Sequence, residues 1–331
     1  MANNAHQEFR NAKWGVFLHY LADKYMSENG SADEWNAIVD SFDVSDCAKR
    51  LYEIGAGYAG ITIGQNSGFF CAPNSKYCEL TGANKMSNRD LVSELADELK
   101  KYGILLMAYL PSGAPDRDMN AREKLKWAFG YDMDLVAKTG TWKRTGLRHA
   151  EFQLYWEDII REWSQKWGEK VFAWWIDGCY FAEEMYLHPD KPNFESFAEA
   201  LRSGNSKALI CFNPGVFAPI KSLSDVEDFT AGEIAETFPL QISESSQCER
   251  HEKVAEVYHA FSYLGSLWGQ GDAPRFGNHF AIGYTQEVVK RGGVVTWDVP
   301  CTSNGHIKDG FVEQLKSIGT AMKEMQKTQG R

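Results

Sequence analysis

Short apolar runs rich in Val, Ile and aromatic residues alternate along the chain with longer stretches of helical period. The runs are Trp14–Tyr20, Tyr58–Gln65, Ile104–Pro111, Val171–Gly178, Ala208–Asn213, Asp228–Glu233, a weaker one at Phe261–Trp268, and Val294–Pro300. Runs this short and this apolar suit strands buried on both faces, and strands that alternate with helices pair in parallel. Between the second and third runs, Leu91, Leu95 and Leu99 share one helical face, with Asn88 available as a cap and Gly103 as a stop. Phe152–Trp167, Phe194–Arg202, Tyr284–Arg291 and Gly310–Lys323 also read as helices. The alternation predicts an α/β fold, a (β/α)8 TIM-like barrel forming a single domain over residues 1–331. Two less regular stretches, Ala114–Ala150 and Gln241–Lys253, read as insertions above the barrel mouth.

Such a barrel carries its active site where the strands end at their C-terminal edge. Those positions hold His19, Gln65, Asn66, Tyr109, Asp177, Asn213, Glu233, Trp268 and Asp298. Asp177 closes the run Trp174-Trp175-Ile176-Asp177-Gly178. An acid there either faces the mouth or is buried at severe cost, although an Asp before Gly also starts many turns. Glu233 closes a later run, with Glu236 a close competitor. Two carboxylates are what glycoside hydrolysis uses, but spacing along the chain does not give their separation in space.

Composition narrows the partners. With 331 residues, 44% of them hydrophobic, there is ample material for one large core. A net charge of −10 argues against nucleic acid and anionic membranes. Eleven Trp suit either a Trp-rich core or platforms for the C–H faces of sugars. The seven Cys are scattered without metal spacing, so no metal, no cofactor and no disulfide framework is expected. The first residues lack an apolar leader and no run approaches a membrane span. The expectation is a cytoplasmic protein, or a periplasmic or secreted one if a leader is missing from the sequence.

Several motifs resemble the catalytic domain of glycoside hydrolase family 29, the α-L-fucosidases. Ala12-Lys13-Trp14-Gly15-Val16-Phe17-Leu18-His19 is similar to that family's opening AKFGIFIHW strand, and Glu34-Trp35 to its EW pair. Gly55-Ala56-Gly57-Tyr58, Ser75-Lys76-Tyr77, Arg89-Asp90-Leu91-Val92 and Lys100-Lys101-Tyr102-Gly103 resemble its AGAKY, SKY, RDLV and KKHG segments. Near the end, Val288-Val289-Lys290-Arg291-Gly292-Gly293 and Ser303-Asn304-Gly305-His306-Ile307 follow its VVSKGG…DGTI pattern.

The resemblance implies a retaining exo-glycosidase that removes a terminal α-L-fucosyl or related L-sugar residue from an oligosaccharide or glycoside. The family's W-x-D nucleophile falls on Asp177, with Trp175 at its sugar-contacting Trp. Its D-F-x-T-x-E acid/base segment resembles Asp228-Phe229-Thr230-Ala231-Gly232-Glu233, which places the acid/base at Glu233. His19, Glu34, Trp35, Tyr109 and Trp268 fall on substrate-contacting positions. The chain also departs from the pattern. Gln65-Asn66-Ser67-Gly68-Phe69 stands where the family has H-H-D-G-F, so two neutral amides are expected in place of two sugar-binding imidazoles. Asn213-Pro214-Gly215 replaces a segment that carries an Arg, and the family's C-terminal β-sandwich does not follow the last barrel helix. The alternatives are a retaining glycosidase for a different sugar, or a non-catalytic carbohydrate-binding barrel.

Overall fold

Alternating register sets two faces on every strand, and the strands bury both. In the computed structural model, which describes residues 4–27, 30–239, 249–250 and 253–329, the barrel strands are β1 (Trp14–Leu18), β2 (Tyr58–Thr62), β3 (Leu105–Pro111), β4 (Ala173–Asp177), β5 (Leu209–Phe212), β6 (Glu233–Ile234), β7 (His259–Tyr263) and β8 (Val294–Val299). One set of side chains, including Phe17, Tyr58, Met107, Trp175, Cys211 and Phe261, fills the barrel interior. The alternate set, including Val16, Leu18, Ile61, Trp174, Ile210 and Phe212, packs outward in a second apolar cluster with helical residues such as Leu91, Trp163 and Phe311. Gly60 is required by this arrangement, since the Phe17 ring occupies the place where a Cβ would stand.

The strands pair in the order β5-β4-β3-β2-β1-β8-β7-β6, all in parallel, as the sequence pattern predicts. The ring is completed between β5 and β6 by Asp228. Its backbone N–H donates to the Ile210 carbonyl at 2.9 Å, and its carboxylate accepts from Ile210 N–H at 2.9 Å. The expected strand Asp228–Glu233 is therefore interrupted. Gly232 takes φ +69°, with the His259 carbonyl packed against it, and regular pairing begins only at Glu233.

Helices wrap the outside where their apolar stripes match the outer cluster. Leu91–Lys101 buries Leu91, Leu95 and Leu99 as expected, but its cap is Asp90, whose carboxylate accepts from Ser93 N–H at 3.0 Å. Asn88 instead donates its backbone N–H to the Asn36 side chain. Ala150–Trp167, Phe194–Leu201, Asn278–Lys290 and Asp309–Gln329 correspond to the remaining expected helices, each with somewhat different ends. Asn4–Ala12 was not foreseen. It is polar apart from few residues, yet Phe9 is fully buried against Tyr58, Phe172 and Phe229 at the barrel base.

The stretch 114–150 follows the C-terminal end of β3 and so lies on the mouth side, but it is not wholly irregular. It contains short helices at Met119–Lys124 and Met133–Thr139, capped by the Asp118 and Asp132 side chains. Most of the expected insertion at 241–253 lies outside the described residues. Among the described residues, no helix is long and apolar enough to cross a membrane.

Candidate active site

Period-two alternation decides which strand-end residues look inward. On β4, Ala173 and Trp175 face the barrel interior, and Asp177 is the next residue of that register. On β5 the same rule carries Leu209 and Cys211 to Asn213; on the sixth segment it carries Phe229 and Ala231 to Glu233. The three polar side chains meet at the mouth.

Asn213 holds the two carboxylates together. Its Nδ2 donates to Asp177 Oδ1 at 2.8 Å and to Glu233 Oε2 at 2.6 Å. Those two oxygens are therefore at most 5.4 Å apart, the combined length of the two bonds. Asn213 is itself fully buried, and its backbone is laced to β4: its N–H donates to the Ile176 carbonyl and its carbonyl accepts from Cys179 N–H.

The two acids sit in unlike surroundings. Asp177 Oδ1 also accepts from Gly178 N–H at 2.8 Å, while Oδ2 accepts from the Tyr109 hydroxyl at 2.6 Å. The Glu233 carboxylate accepts from the same Asn213 amide. Burial first, and the nearby Asp177 charge second, push the Glu233 carboxyl up to about 7, against the pull of the Asn213 bond. Glu236, the sequence-level competitor, has a largely exposed side chain that accepts from the Tyr263 hydroxyl, and it does not line the cavity.

A cavity of about 300 Å³ surrounds this pair, lined among others by His19, Gln65, Tyr109, Trp175, Tyr180 and Trp268. Trp175 stacks on Tyr109 at 5.4 Å, and its indole N–H donates to the Ala231 carbonyl, so the ring cannot turn freely. His19 Nδ1 lies 2.6 Å from Asp298 Oδ1, and Nε2, with no hydrogen-bond partner among the described residues, is left for a ligand. Asp298, an inward residue of β8, is fully buried and also accepts from Gly269 N–H; it orients His19 and does not line the cavity. Trp268 reaches the cavity from a loop, since β7 ends at Tyr263.

Other sequence-based expectations are corrected. Gln65 lines the cavity with its Nε2 donating to the Tyr109 hydroxyl, but Asn66 does not line it; the Asn66 carbonyl accepts from Arg117 N–H. Glu34 is exposed in the first turn of the helix Ala32–Asp40. Trp35 is buried in the outer core, where its indole N–H donates to the Phe70 carbonyl. Neither residue lines the cavity. The bridging role of Asn213 was not foreseen, although its place in the Leu209-Cys211-Asn213 register marked it as inward. Lys24 lines the cavity from the short helix Ala22–Tyr25 and Gln270 from the loop after β7, neither of which carries a periodic signal in the sequence. Among the described residues, no group of three His, Cys, Asp or Glu side chains is arranged to hold a metal ion.

Comparison with known proteins places these features in context. An endo-fucoidan hydrolase of glycoside hydrolase family 107, MfFcnA4, superposes with a TM-score of 0.71 at 17% identity, covering 98% of this chain and 55% of that one. The α-L-fucosidase AlfC from Lactobacillus casei, solved with α-L-fucose, gives 0.62 at 13% identity, covering 98% and 100%. α-L-Fucosidase isoenzyme 1 from Paenibacillus thiaminolyticus gives 0.66 at 16%, covering 96% and 75%. At these identities the likeness is one of fold. The chain spans little more than half the length of the first of these relatives. No curated protein matches it by sequence. The α-L-fucosidase family does match, over residues 23–327, a span that holds the paired acids, Asn213 and the residues lining the cavity apart from His19 and Leu21, and the chain belongs to that family.

Proposed function

We propose that the protein is a retaining glycoside hydrolase acting on an α-L-fucosyl or closely related L-sugar residue, with Asp177 as nucleophile and Glu233 as general acid/base. The observation that carries this reading is the shared Asn213 amide, which limits the two carboxylate oxygens to a separation of 5.4 Å. Direct attack by one carboxylate needs a spacing of roughly 5–5.5 Å, whereas an inverting pair stands roughly 6.5–9.5 Å apart to admit a water.

The division of labour follows from the surroundings. Asp177 Oδ1 is occupied by Gly178 and Asn213, so Oδ2, held only by Tyr109, is the atom that attacks the anomeric carbon. Glu233, with its carboxyl near 7, gives its proton to the departing oxygen. The glycosyl–Asp177 ester carries no charge, so one of the two causes that raise Glu233 disappears. Glu233 is then better able to take a proton from the water that cleaves the ester. Trp175 offers an apolar floor for the sugar, and His19 Nε2 and Gln65 offer hydrogen bonds to hydroxyls.

A second reading, hydrolysis of a different sugar, draws support from one observation: Gln65 Nε2 is already committed to Tyr109, and Asn66 stays outside the cavity. Both readings are tested with a panel of 4-nitrophenyl glycosides and wild type beside Asp177→Asn. The expected result is turnover of the α-L-fucoside with the first-formed sugar keeping its anomeric configuration. Asp177→Asn should lose about four orders of magnitude in kcat/KM. Preference for another glycoside selects the second reading, and an inverted product removes Asp177 as nucleophile.

A further inference from the structure

Beside the catalytic cavity lies a second one, of about 610 Å³, lined among others by Asp23, Lys24, Gln270, Asp272 and Lys308. Lys24 and Gln270 line both cavities and form the wall between them. The position of this wall is informative. Asp177 ends β4, Asn213 follows β5 and Glu233 opens β6, whereas Lys24 follows β1 and Gln270 follows β7. In a ring of strands ordered β5-β4-β3-β2-β1-β8-β7-β6, β1 faces β5. The second cavity therefore lies across the barrel mouth from Asp177 and Asn213, which for a sugar held in the first cavity is the side remote from the bond that would break.

Of the charged residues in this cavity's wall, Lys24 alone has no ion-pair partner among the described residues. Asp23 is paired with Arg117 at 3.1 Å and Asp272 with Lys308 at 2.8 Å. Lys24 Nζ donates to the Trp268 carbonyl at 3.1 Å, and among the described residues no carboxylate lies within ion-pairing distance of it. Asp298 exerts the larger negative influence on it and Cys301 the smaller, but the Asp298 oxygens are already engaged by His19 and Gly269 N–H. Burial pulls the ammonium below its ordinary value, so it sits where an anion would relieve it. An ammonium has three donors, and among the described residues one is used.

We propose that the second cavity is a subsite for an anionic group carried on the remote side of the bound sugar, gripped by Lys24. The chemistry is that of a compact oxyanion, either a sulfate ester on a ring hydroxyl or the carboxylate of an acidic sugar attached there. This rests on the reading of the first cavity as the fucosyl site, and it extends that reading from a bare terminal sugar to a substituted one.

The test uses 4-nitrophenyl α-L-fucoside, its ring-sulfated esters, and fucosides bearing glucuronic acid or its neutral counterpart glucose on a ring hydroxyl. Wild type and Lys24→Met are compared for kcat/KM. The corresponding methyl glycosides are titrated by calorimetry into Asp177→Asn and into the same variant carrying Lys24→Met. One anionic class should exceed its neutral match by about tenfold or more in both readouts, as expected for one charge-assisted hydrogen bond, and Lys24→Met should remove that preference. The sulfate and glucuronate arms show which oxyanion is read. Three results overturn the proposal: no anionic glycoside favoured, a preference that survives Lys24→Met, or an equal loss on anionic and neutral glycosides. The last would mark Lys24 as a counter-charge to Asp298. Calorimetric preference without any turnover would sink the hydrolase reading while leaving this subsite standing.

Discussion

At the base of the barrel, His259 is completely buried on β7, and each ring nitrogen has a partner of the right kind. Nδ1 lies 3.0 Å from the Thr230 carbonyl and so carries the proton, while Nε2 lies 2.7 Å from the Thr296 hydroxyl. Thr296 Oγ1 is in turn 2.8 Å from the Tyr58 hydroxyl, which completes a chain of donors running Tyr58 to Thr296 to His259 to carbonyl. Nearby, the Asp228 carboxylate accepts from Arg202 at 2.6 Å and faces His6 Nε2 at 2.9 Å. At the mouth, two carboxylates share a single amide nitrogen. Both ends bury polar groups, but the base satisfies them while the mouth leaves like charges close together. A satisfied network specifies structure, and a strained one stores chemistry.

The two ends therefore have opposite pH signatures. Burial first lowers the His259 imidazole to about 4 from an ordinary 6.5, so the folded state binds fewer protons there. Its contribution to stability is present above pH 6.5 and is lost as pH falls toward 4. Glu233 is raised to about 7 from 4.5, so the folded state binds more protons, and stability is lost as pH rises from 4.5 toward 7.

The largest expected effect breaks the base. His259→Ala removes a packed ring, takes the imidazole from the Thr230 carbonyl and leaves the Thr296 hydroxyl with Tyr58 alone, and should cost about 3–5 kcal/mol. Thermal and urea unfolding measure this. At temperatures where the variant is folded, its leaving-group dependence should match wild type. Next, Asn213→Ala should lower kcat on fucosides about 100-fold by freeing both acids, a loss of the size seen when one preorganised donor is deleted. It also removes the bond that pulls Glu233 down, so the alkaline limb of the pH–rate profile should move above its wild-type position near pH 7. An unmoved limb would separate Asn213 from the acid. Smallest, Glu233→Gln should raise stability by about 1–3 kcal/mol at pH 8 and leave it nearly unchanged at pH 4, because only the charged form is penalised. A gain of equal size at both pH values would mean that packing, rather than charge, is responsible.

The same contrast explains what the sequence reveals. Strand-borne inward residues were legible because period two and strand ends are local properties: Asp177, Glu233, His19 and Tyr109 all line the cavity. Trp35 misled because a large aromatic near a motif is as useful to a core as to a site, and here it packs with Tyr20 and Phe69. Asn66 lies in the turn that Gly68 N–H closes on the Gln65 carbonyl, beyond the end of β2, where strand alternation no longer sets direction. The Asn4–Ala12 helix was invisible because its burial depends on Phe9 meeting Phe229 and Tyr58, residues far away in the chain. The Asn213 bridge is likewise a property of three strands at once.

The assigned roles of Asp177 and Glu233 are tested most directly by azide rescue of their alanine variants, with the anomer of the glycosyl azide read by NMR. Each truncation leaves space for a small anion. In Glu233→Ala, azide replaces water in the second step and should give the retained anomer; in Asp177→Ala, it replaces the carboxylate and should give the inverted one. The same anomer from both variants, or wild-type activity in Asp177→Ala without azide, would contradict the account.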